Sequence, residues 1–386
     1  MTERWTSRKR VEAALNHKEP DRVPIDFCIT LVAYRRLREY LGLPAEPNVQ
    51  HDRFFEVRPP LDMIERLGLD MTFVRLNKPA NWKAPQPLAD DTQLDEWGVG
   101  RKLIEVSTGA HLFEVTYNPW KDLEPSDIDL DAFAWPDPHA PGITAGLEEE
   151  ARQLSDEAGL ALMGRFGGPI LEIGGYLRGF EQWMMDLVLY PDFSRELLER
   201  IADIQIALDE QGIKAAGPYL SIFKASGEDL GMQDRPLFSM KVWKQVLLPP
   251  LERRWRAARA ALDRYAPHVK MMLHSDGAIR PFLPDIISCG VEVIDPVQSV
   301  CSGMDLAGLK KDFGDLLSFH GAVDTQFVLP FRSVTEVIAE TTRVIQTLGR
   351  GGGLILGPSH FIQSDVPPEN IVSMCQTACN KGIYPL

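Results

Sequence analysis

The strongest constraint on the fold is a set of eight short apolar runs, each followed by a longer amphipathic segment. Several runs lack the alternation of half-exposed strands and are typical of parallel strands covered on both faces. The segments between them have helical periodicity, and several end at Gly, as helix C-termini do. Eight such repeats predict an α/β fold, a closed (β/α)8 TIM barrel. The runs are VPIDF from residue 23, DMTFVRL from 70, LALMGRF from 160, LSIFKAS from 220, VKMMLHS from 269, VEVIDPV from 291, LLSFHGA from 316 and GLILGPS from 353.

One connection is much longer than the others. Roughly 80 residues separate the second predicted strand from the third, although βα connections are ordinarily short, and we assign about 78–145 of them to an insertion. Within this insertion, RKLIEVSTGAHLFEVTYN predicts an antiparallel strand pair. We expect residues 1–386 to form one barrel domain with the insertion folded over its mouth. Four tryptophans of the insertion either form its own small core, or one or two of them line a substrate pocket: Trp82, Trp97, Trp120 and Trp135.

Charge and composition exclude several classes of protein. The chain has 55 acidic and 41 basic residues, a formal net charge of -14, which disfavours binding to a nucleic-acid backbone. A small molecule or another protein is the expected partner. The charged N-terminal sequence lacks the apolar core of a signal peptide, and no stretch is long and apolar enough to span a membrane. Five cysteines without disulfide-scaffold spacing agree with a cytoplasmic location.

Polar residues follow the predicted strands, at the end of a barrel where catalytic groups are found. Histidine is scarce, with eight in the chain, yet three follow the fifth, seventh and eighth predicted strands. Because neighbouring strand ends are close in space, this clustering predicts a site. The polar residues at or just after strand ends are Asp26, Arg75, Arg165, Lys224, Glu228, Asp229, His274, Asp276, Asp295, Gln298, His320, Asp324 and His360.

The strongest local pattern is HSDG, in which His274 and Asp276 are two residues apart and Gly277 permits a tight turn. With His360 from GPSH, these residues make a nitrogen and oxygen donor set that suits Zn, Mn, Fe or Co. Two other interpretations remain open. His274 and Asp276 could form a proton-transfer pair without a metal, or a polar turn with no chemical role.

Roles for the other strand-end residues follow from position alone. We expect Glu228 or Asp229 to supply a fourth ligand or to transfer protons, and Asp26 to belong to the catalytic group. Arg165 is expected to bind a substrate anion. The remaining residues expected to contact substrate are Phe166, Lys224, Gln298, His320 and Asp324.

Several longer segments resemble the uroporphyrinogen decarboxylase superfamily, in the same order along nearly the whole chain. The resemblance implies a TIM barrel with its site at the C-terminal mouth. It does not imply decarboxylation, because the arginine-containing RQAGRY type of segment is replaced by VPIDFCITLVAYRRLREY. The matching segments are RKRVEAALNHKEPDRVPIDF, DEWGVG, GGYLRGFEQWMMDLVLYPDF, GEDLGMQDRPLFSMKVWKQVLLPPLER, LHSDGAIRPFLPDIISCGVEVIDPVQ, FHGAVDTQ and ILGPSHFIQSDVPPENI.

The chain is also similar to the corrinoid-linked methyltransferase branch, which carries zinc on a His-x-Cys pair and a further Cys. The matching positions are His274, Asp276 and His360, so the resemblance implies a divalent metal, with zinc the first choice. A carboxylate and imidazoles leave a harder metal than thiolates do, which favours a substrate oxygen over a thiol. We therefore expect transfer of a methyl group from a small methoxylated or methylated compound to a corrinoid.

No corrinoid-binding domain is expected in the chain, so the corrinoid would be carried by a partner protein. Relatives commonly pair, so the resemblance also allows a homodimer. The alternative function is that of a metal-assisted lyase or hydrolase, or a decarboxylase, acting on a small oxygenated substrate.

Overall fold

A computed structural model describes residues 5–46, 49–52, 55–83, 85–88, 91–105 and 111–386. The strands of this described part are β1 (Ile29–Thr30), β2 (Glu56–Val57), β3 (Met71–Arg75), β4 (Gln93–Leu94), β5 (Gly100–Glu105), β6 (His111–Tyr117), β7 (Ala161–Arg165), β8 (Ile222–Gly227), β9 (Lys270–His274), β10 (Val293–Asp295), β11 (Ser318–Val323) and β12 (Leu354–Pro358).

The α-helices in the same residues fill most of the connections between strands. They are α1 (Ser7–Leu15), α2 (Leu31–Tyr40), α3 (Leu61–Leu67), α4 (Leu147–Arg152), α5 (Leu171–Arg178), α6 (Phe180–Leu189), α7 (Pro191–Ala216), α8 (Met240–Val242), α9 (Leu248–Tyr265), α10 (Leu283–Ser288), α11 (Leu306–Phe313), α12 (Val328–Phe331), α13 (Val334–Leu348) and α14 (Pro368–Lys381). None of these helices is both long and apolar enough to cross a membrane.

Seven parallel strands form one curled sheet in the order β12-β11-β10-β9-β8-β7-β3, with helices outside it. The predicted TIM-barrel fold is therefore confirmed, and seven of the eight predicted runs contain a strand of this sheet. The first run is not a regular strand. Ile25 makes a single parallel bridge to Leu356 in β12, and its carbonyl accepts the Asp70 N–H at 2.8 Å beside β3. Pro24 has no N–H to donate, which shortens the ladder at this point.

The interior of the sheet is filled by apolar side chains and closed at its N-terminal end by α1. Val11 and Leu15 of α1 pack with Phe73, Met163 and Met272, among other strand residues, in a separate buried cluster. The strands are buried along most of their length, as both faces are covered. This packing fixes the polar C-terminal strand ends at the opposite side of the barrel.

Below the barrel, a fully buried carboxylate ties the first run to the strands. Asp70 accepts hydrogen bonds from Arg10 at 2.6 Å, Arg22 at 2.8 Å and the Ile25 backbone N–H at 2.9 Å. Asp21 also accepts from Arg10 at 2.6 Å. Because each buried charge has a partner, the network avoids the cost of an isolated ion in the interior.

The insertion forms a three-stranded antiparallel sheet, β4-β5-β6, which includes the predicted strand pair. The turn of that pair, residues 106–110, lies outside the described residues. Trp120 packs edge-on against Phe133, with ring centroids 4.7 Å apart, and Trp97 packs against Trp135 at 6.2 Å. The insertion therefore has an aromatic core of its own.

Candidate functional site

The candidate metal centre begins at the end of β9. His274 is the last residue of that strand, and its carbonyl accepts the Glu228 N–H at 2.9 Å. Gly277 then turns the chain at a φ of 87°, where a side chain would overlap the backbone of Gly231. This turn returns Asp276 toward the barrel mouth and explains why a glycine follows the pair.

The structure brings the three residues of the predicted ligand set together. His274, Asp276 and His360 each offer one ligand atom, and these atoms all lie within 4.8 Å of one another. His360 Nε2 is 3.3 Å from Asp276 Oδ2, and the two imidazole centroids are 6.1 Å apart. Two imidazoles and a carboxylate are donors that fit a divalent transition metal.

A second layer of polar side chains orients two of these residues. His274 Nδ1 lies 2.7 Å from Asp295 Oδ2, which leaves Nε2 available as a ligand. Gln298 donates from Nε2 to Asp276 Oδ1 at 2.8 Å and accepts the Gly277 N–H at 2.7 Å. Metal-binding histidines and carboxylates are ordinarily held by such outer partners. The arrangement is thus organised as metal sites are.

Asp295 continues this layer into the barrel. Its Oδ1 lies 2.7 Å from His320 Nδ1, and His320 Nε2 lies 3.1 Å from Asp26 Oδ2. Burial lowers the pKa of His320, but the charges of Asp295 and Asp26 and hydrogen bonds to them raise it to about 9. Burial raises the pKa of Asp295, but His320, Lys224 and His274 hold it well below its ordinary value. His320 is therefore a buried cation at neutral pH.

The environment of His360 favours the neutral imidazole, which is the form that binds a metal. Burial lowers the pKa of His360, and Asp276 offsets this only in part. A metal binds neutral imidazole, so the site does not have to displace a proton from His360 at neutral pH.

A cavity of about 1560 Å³ opens beside the two histidines. His274 and His360 form part of its wall, together with Lys224, Asp229 and Phe166. The insertion contributes aromatic side chains to the opposite wall. Trp120 is buried and does not line the cavity, whereas the other three tryptophans do, so only these three are placed where a substrate could contact them. The aromatic lining residues of the insertion are Trp82, Trp97, Phe133 and Trp135.

Arg165 lines the cavity, as expected, but its charge already has a partner. Its Nη1 donates to both carboxylate oxygens of Glu56, at 2.7 and 2.8 Å, and Arg75 donates to the same carboxylate. Burial raises the pKa of Glu56, but Arg165 and Arg75 lower it to about 2. Sequence reasoning missed Glu56, which lies in the two-residue strand β2 without any periodic signal.

Three neighbouring carboxyl groups lie after β7 and β8, and two of them, Glu172 and Asp229, line the cavity. Glu228 is fully buried and accepts the backbone N–H groups of Ile170 and Leu171 at 2.8 and 2.9 Å. Glu172, in the first turn of α5, accepts the Asp229 N–H at 2.7 Å and lines the cavity. Sequence reasoning missed Glu172 because it considered only the residues closest to strand ends. Inspection of the first turn of each following helix would have found it.

Apart from the metal-ligand candidate Asp276, five predicted site residues are not among those that line the cavity. Asp324 accepts the backbone N–H groups of Gln326 and Phe327 at 2.5 and 3.0 Å, which is the role of a turn cap. The others take the supporting positions described above, so direct contact of any of the five with substrate is not favoured. They are Asp26, Glu228, Gln298, His320 and Asp324.

One pattern in the insertion bears on the corrinoid. The segment DPHAPG, residues 137–142, has the letters D-x-H-x-x-G that are typical of corrinoid-cradling loops. Here Asp137 accepts the His139 N–H at 2.8 Å within its own turn. The Ala80 N–H is also bound to the Pro141 carbonyl, at 2.7 Å. The segment is a proline-rich turn on the barrel and does not join a parallel strand to a helix.

Comparisons with known proteins agree with this architecture. A family model described as uroporphyrinogen decarboxylase (URO-D) matches residues 123–380. Uroporphyrinogen decarboxylase of Vibrio vulnificus (strain YJ016) is 23% identical over 250 residues, 63% of this chain and 65% of that protein. The enzyme of Legionella pneumophila (strain Lens) is 24% identical over 246 residues, 62% and 64% of the two chains. The chain thus spans less than two thirds of the length of these curated relatives.

The solved structure of a methyltransferase from Methanosarcina mazei covers nearly all of the barrel. Its TM-score is 0.64 at 17% identity, with 97% of this chain and 99% of that chain covered. This similarity concerns the fold, and the family follows from the sequence match over residues 123–380. On these grounds the chain belongs to the uroporphyrinogen decarboxylase family.

Proposed function

We propose that the protein is a metal-dependent methyltransferase, which moves a methyl group from a small methoxylated or methylated compound to a corrinoid on a partner protein. The observation that carries the proposal is the convergence of His274, Asp276 and His360 beside a large cavity. A divalent metal, zinc by preference, would act there as a Lewis acid toward a substrate oxygen.

The chain's own residues prepare the site for this chemistry. Asp295 orients the His274 imidazole, and Gln298 orients the Asp276 carboxylate, so both ligands are held before substrate arrives. Aromatic side chains of the insertion line the cavity, where they would contact apolar parts of the methyl donor. Asp229 and Lys224 face the cavity and are placed to orient polar groups of the methyl donor.

The electrostatics of the cavity argue against decarboxylation of a substrate with several carboxylates. Such a substrate needs cationic partners, as bidentate arginines provide. Arg165 and Arg75 are already paired with Glu56, and Lys224 Nζ lies 3.5 Å from Asp295. Three of the cavity-lining cations are therefore committed to carboxylates, which leaves Arg35 among the barrel residues to contact a substrate anion.

A methyl-transfer assay tests the proposal. Purified metal-loaded protein is mixed with a reduced corrinoid protein and a panel of methoxylated and methylated donors, and the corrinoid absorbance is followed. We expect methyl-corrinoid to form with at least one donor, and the rate to fall by about 100-fold or more in His274→Ala. The exposed His139→Ala is the matched control. Absence of methyl-corrinoid across the panel would contradict the proposed function.

A further inference from the structure

Among the barrel residues that line the cavity, Arg35 is the cation without a partner. It is exposed, and its guanidinium makes no hydrogen bond or ion pair within the part of the chain that the structure describes. The other three cations, Arg165, Arg75 and Lys224, lie against carboxylates. A guanidinium presents parallel N–H groups that match the two oxygens of a carboxylate. Arg35 is therefore free to bind an anion that enters the cavity.

Helix α2 places Arg35 beside the segment that follows the candidate ligand His360. The N–H of Thr30, just before α2, donates to a carbonyl of this segment at 3.0 Å, and Arg36 donates to the Ser364 carbonyl. Ser364 is four residues after His360, and four residues span at most about 14 Å. Arg35 therefore lies in the same region of the cavity wall as the candidate metal centre.

Two further polar residues of this segment, Gln363 and Asp365, line the cavity. The Gln363 side chain is exposed and has no hydrogen-bond partner among the described residues, so its amide can donate to an anion that Arg35 binds. Asp365 is also exposed, and no ion pair joins it to Arg35 in this part of the chain. Water and salt screen an exposed carboxylate, so Asp365 opposes anion binding only weakly. The wall thus offers one cation and one amide for a single anionic group.

Aromatic side chains make other parts of the wall suitable for a flat apolar ring, and Trp82, Trp135 and Phe361 are among them. We propose that Arg35, assisted by Gln363, is the specificity-determining residue, which binds one carboxylate on the methyl donor. The expected donor is an aromatic methyl ether with one carboxylate, whose ether oxygen lies at the candidate metal centre. The identity of the donor as a methyl ether rests on the proposed function, whereas the anion site is built from the contacts of α2.

Calorimetric binding to the purified full chain, incubated with zinc and without a corrinoid, tests the proposal. The probes are para-methoxybenzoate and para-methoxybenzamide, which differ in charge but hardly in shape. We expect wild type to bind the benzoate about 10-fold or more tightly than the benzamide, as one charged hydrogen-bonded pair provides. Raising the salt concentration should reduce this preference, because Arg35 is exposed.

Arg35→Met removes the charge and keeps most of the apolar stem. It should bind the two probes equally, through a loss of benzoate affinity alone, with an unchanged thermal midpoint because no hydrogen bond or ion pair is lost. Arg35→Lys should keep part of the preference, since it keeps the charge but not the parallel donors.

Arg350→Met is the matched control. Arg350 is exposed, lies between α13 and β12 at the N-terminal end of the strands, and has no partner among the described residues. The substitution removes the same charge away from the cavity, so it should keep the full preference for the benzoate.

Three results would overturn the role of Arg35. They are equal affinities for the two probes in wild type, no binding of the benzoate, and a preference that persists in Arg35→Met. Persistence in Arg35→Met with loss in Lys83→Met would place the carboxylate on the insertion instead, since Lys83 also lines the cavity.

The proposed function fails by a different result. If the preference depends on Arg35 but no donor gives methyl-corrinoid, methyl transfer fails and the anion site stands. If methyl-corrinoid forms while kcat/KM for the two donors changes equally in Arg35→Met, only the role of Arg35 is overturned.

Discussion

The proposed chemistry of the site depends on individual residues, above all Asp276. The carboxylate stands where a thiolate is implied in the similar corrinoid-linked methyltransferases, and Gln298 holds it at 2.8 Å. A harder donor set favours an oxygen or nitrogen substrate over a thiol. Behind it, the buried cation His320 holds Asp295 ionised, and Asp295 in turn orients His274. A single substitution in this second layer is therefore expected to alter the orientation of a candidate metal ligand, although the ligand itself is unchanged.

The raised pKa of His320 predicts a pH dependence of stability for the metal-free protein. The folded pKa of about 9 lies above the ordinary value of 6.5. His320 therefore contributes stability fully below pH 6.5, and this contribution is lost as the pH rises through about 9. The shift corresponds to about 3 kcal/mol of unfolding free energy.

Urea unfolding between pH 6 and pH 10, monitored by circular dichroism, measures this contribution. His320→Gln should lack that part of the alkaline loss, because glutamine does not titrate. The same decline in wild type and His320→Gln would contradict the assigned charge of His320.

At the scale of elements, the barrel places its chemistry and its stabilising ion pairs at opposite ends. The strands end at the candidate metal centre above, while α1, the first apolar run and β3 meet at Asp70 below. The first run has a single bridge to β12, so side-chain contacts compensate for the missing ladder. The closure of the barrel at this point thus depends on the ion pairs of Asp70 as well as on backbone pairing.

Asp70→Asn tests this dependence. Loss of the carboxylate leaves Arg22 and Arg10 with less compensation in a buried site, which typically costs about 3–5 kcal/mol. We expect that decrease in the free energy of urea unfolding. Asp192→Asn is the control, because the Asp192 side chain is 92% exposed, and it should change stability by less than about 0.5 kcal/mol. Equal effects of the two substitutions would refute the structural role of Asp70.

At the scale of the whole molecule, the sequence predicts the barrel well because parallel strands that are buried on both faces appear as continuous runs of apolar residues. It also predicts that the polar residues after the strands share one end of the barrel, since parallel strands all end on the same side. His274 follows β9 and His360 follows β12, and they come together at this end although β10 and β11 lie between their strands.

The contacts that the sequence did not predict are those made across the barrel mouth. Arg165, at a strand end, pairs with Glu56 in a short strand that is distant in sequence. No sequence pattern around either residue indicates which residue it pairs with. The same holds for Glu172, whose pKa depends on residues of a different βα unit. Such long-range electrostatics follow only from the packed structure.

The central claim, that the mouth of this barrel is a metal centre, is tested most directly by metal analysis of the purified full chain. We expect about one zinc ion per chain in wild type and in the exposed control His139→Ala. His274→Ala and His360→Ala should each lose most of it, because either change removes one of three ligands. Equal metal content in all four proteins, or none in wild type after incubation with zinc, would contradict the claim.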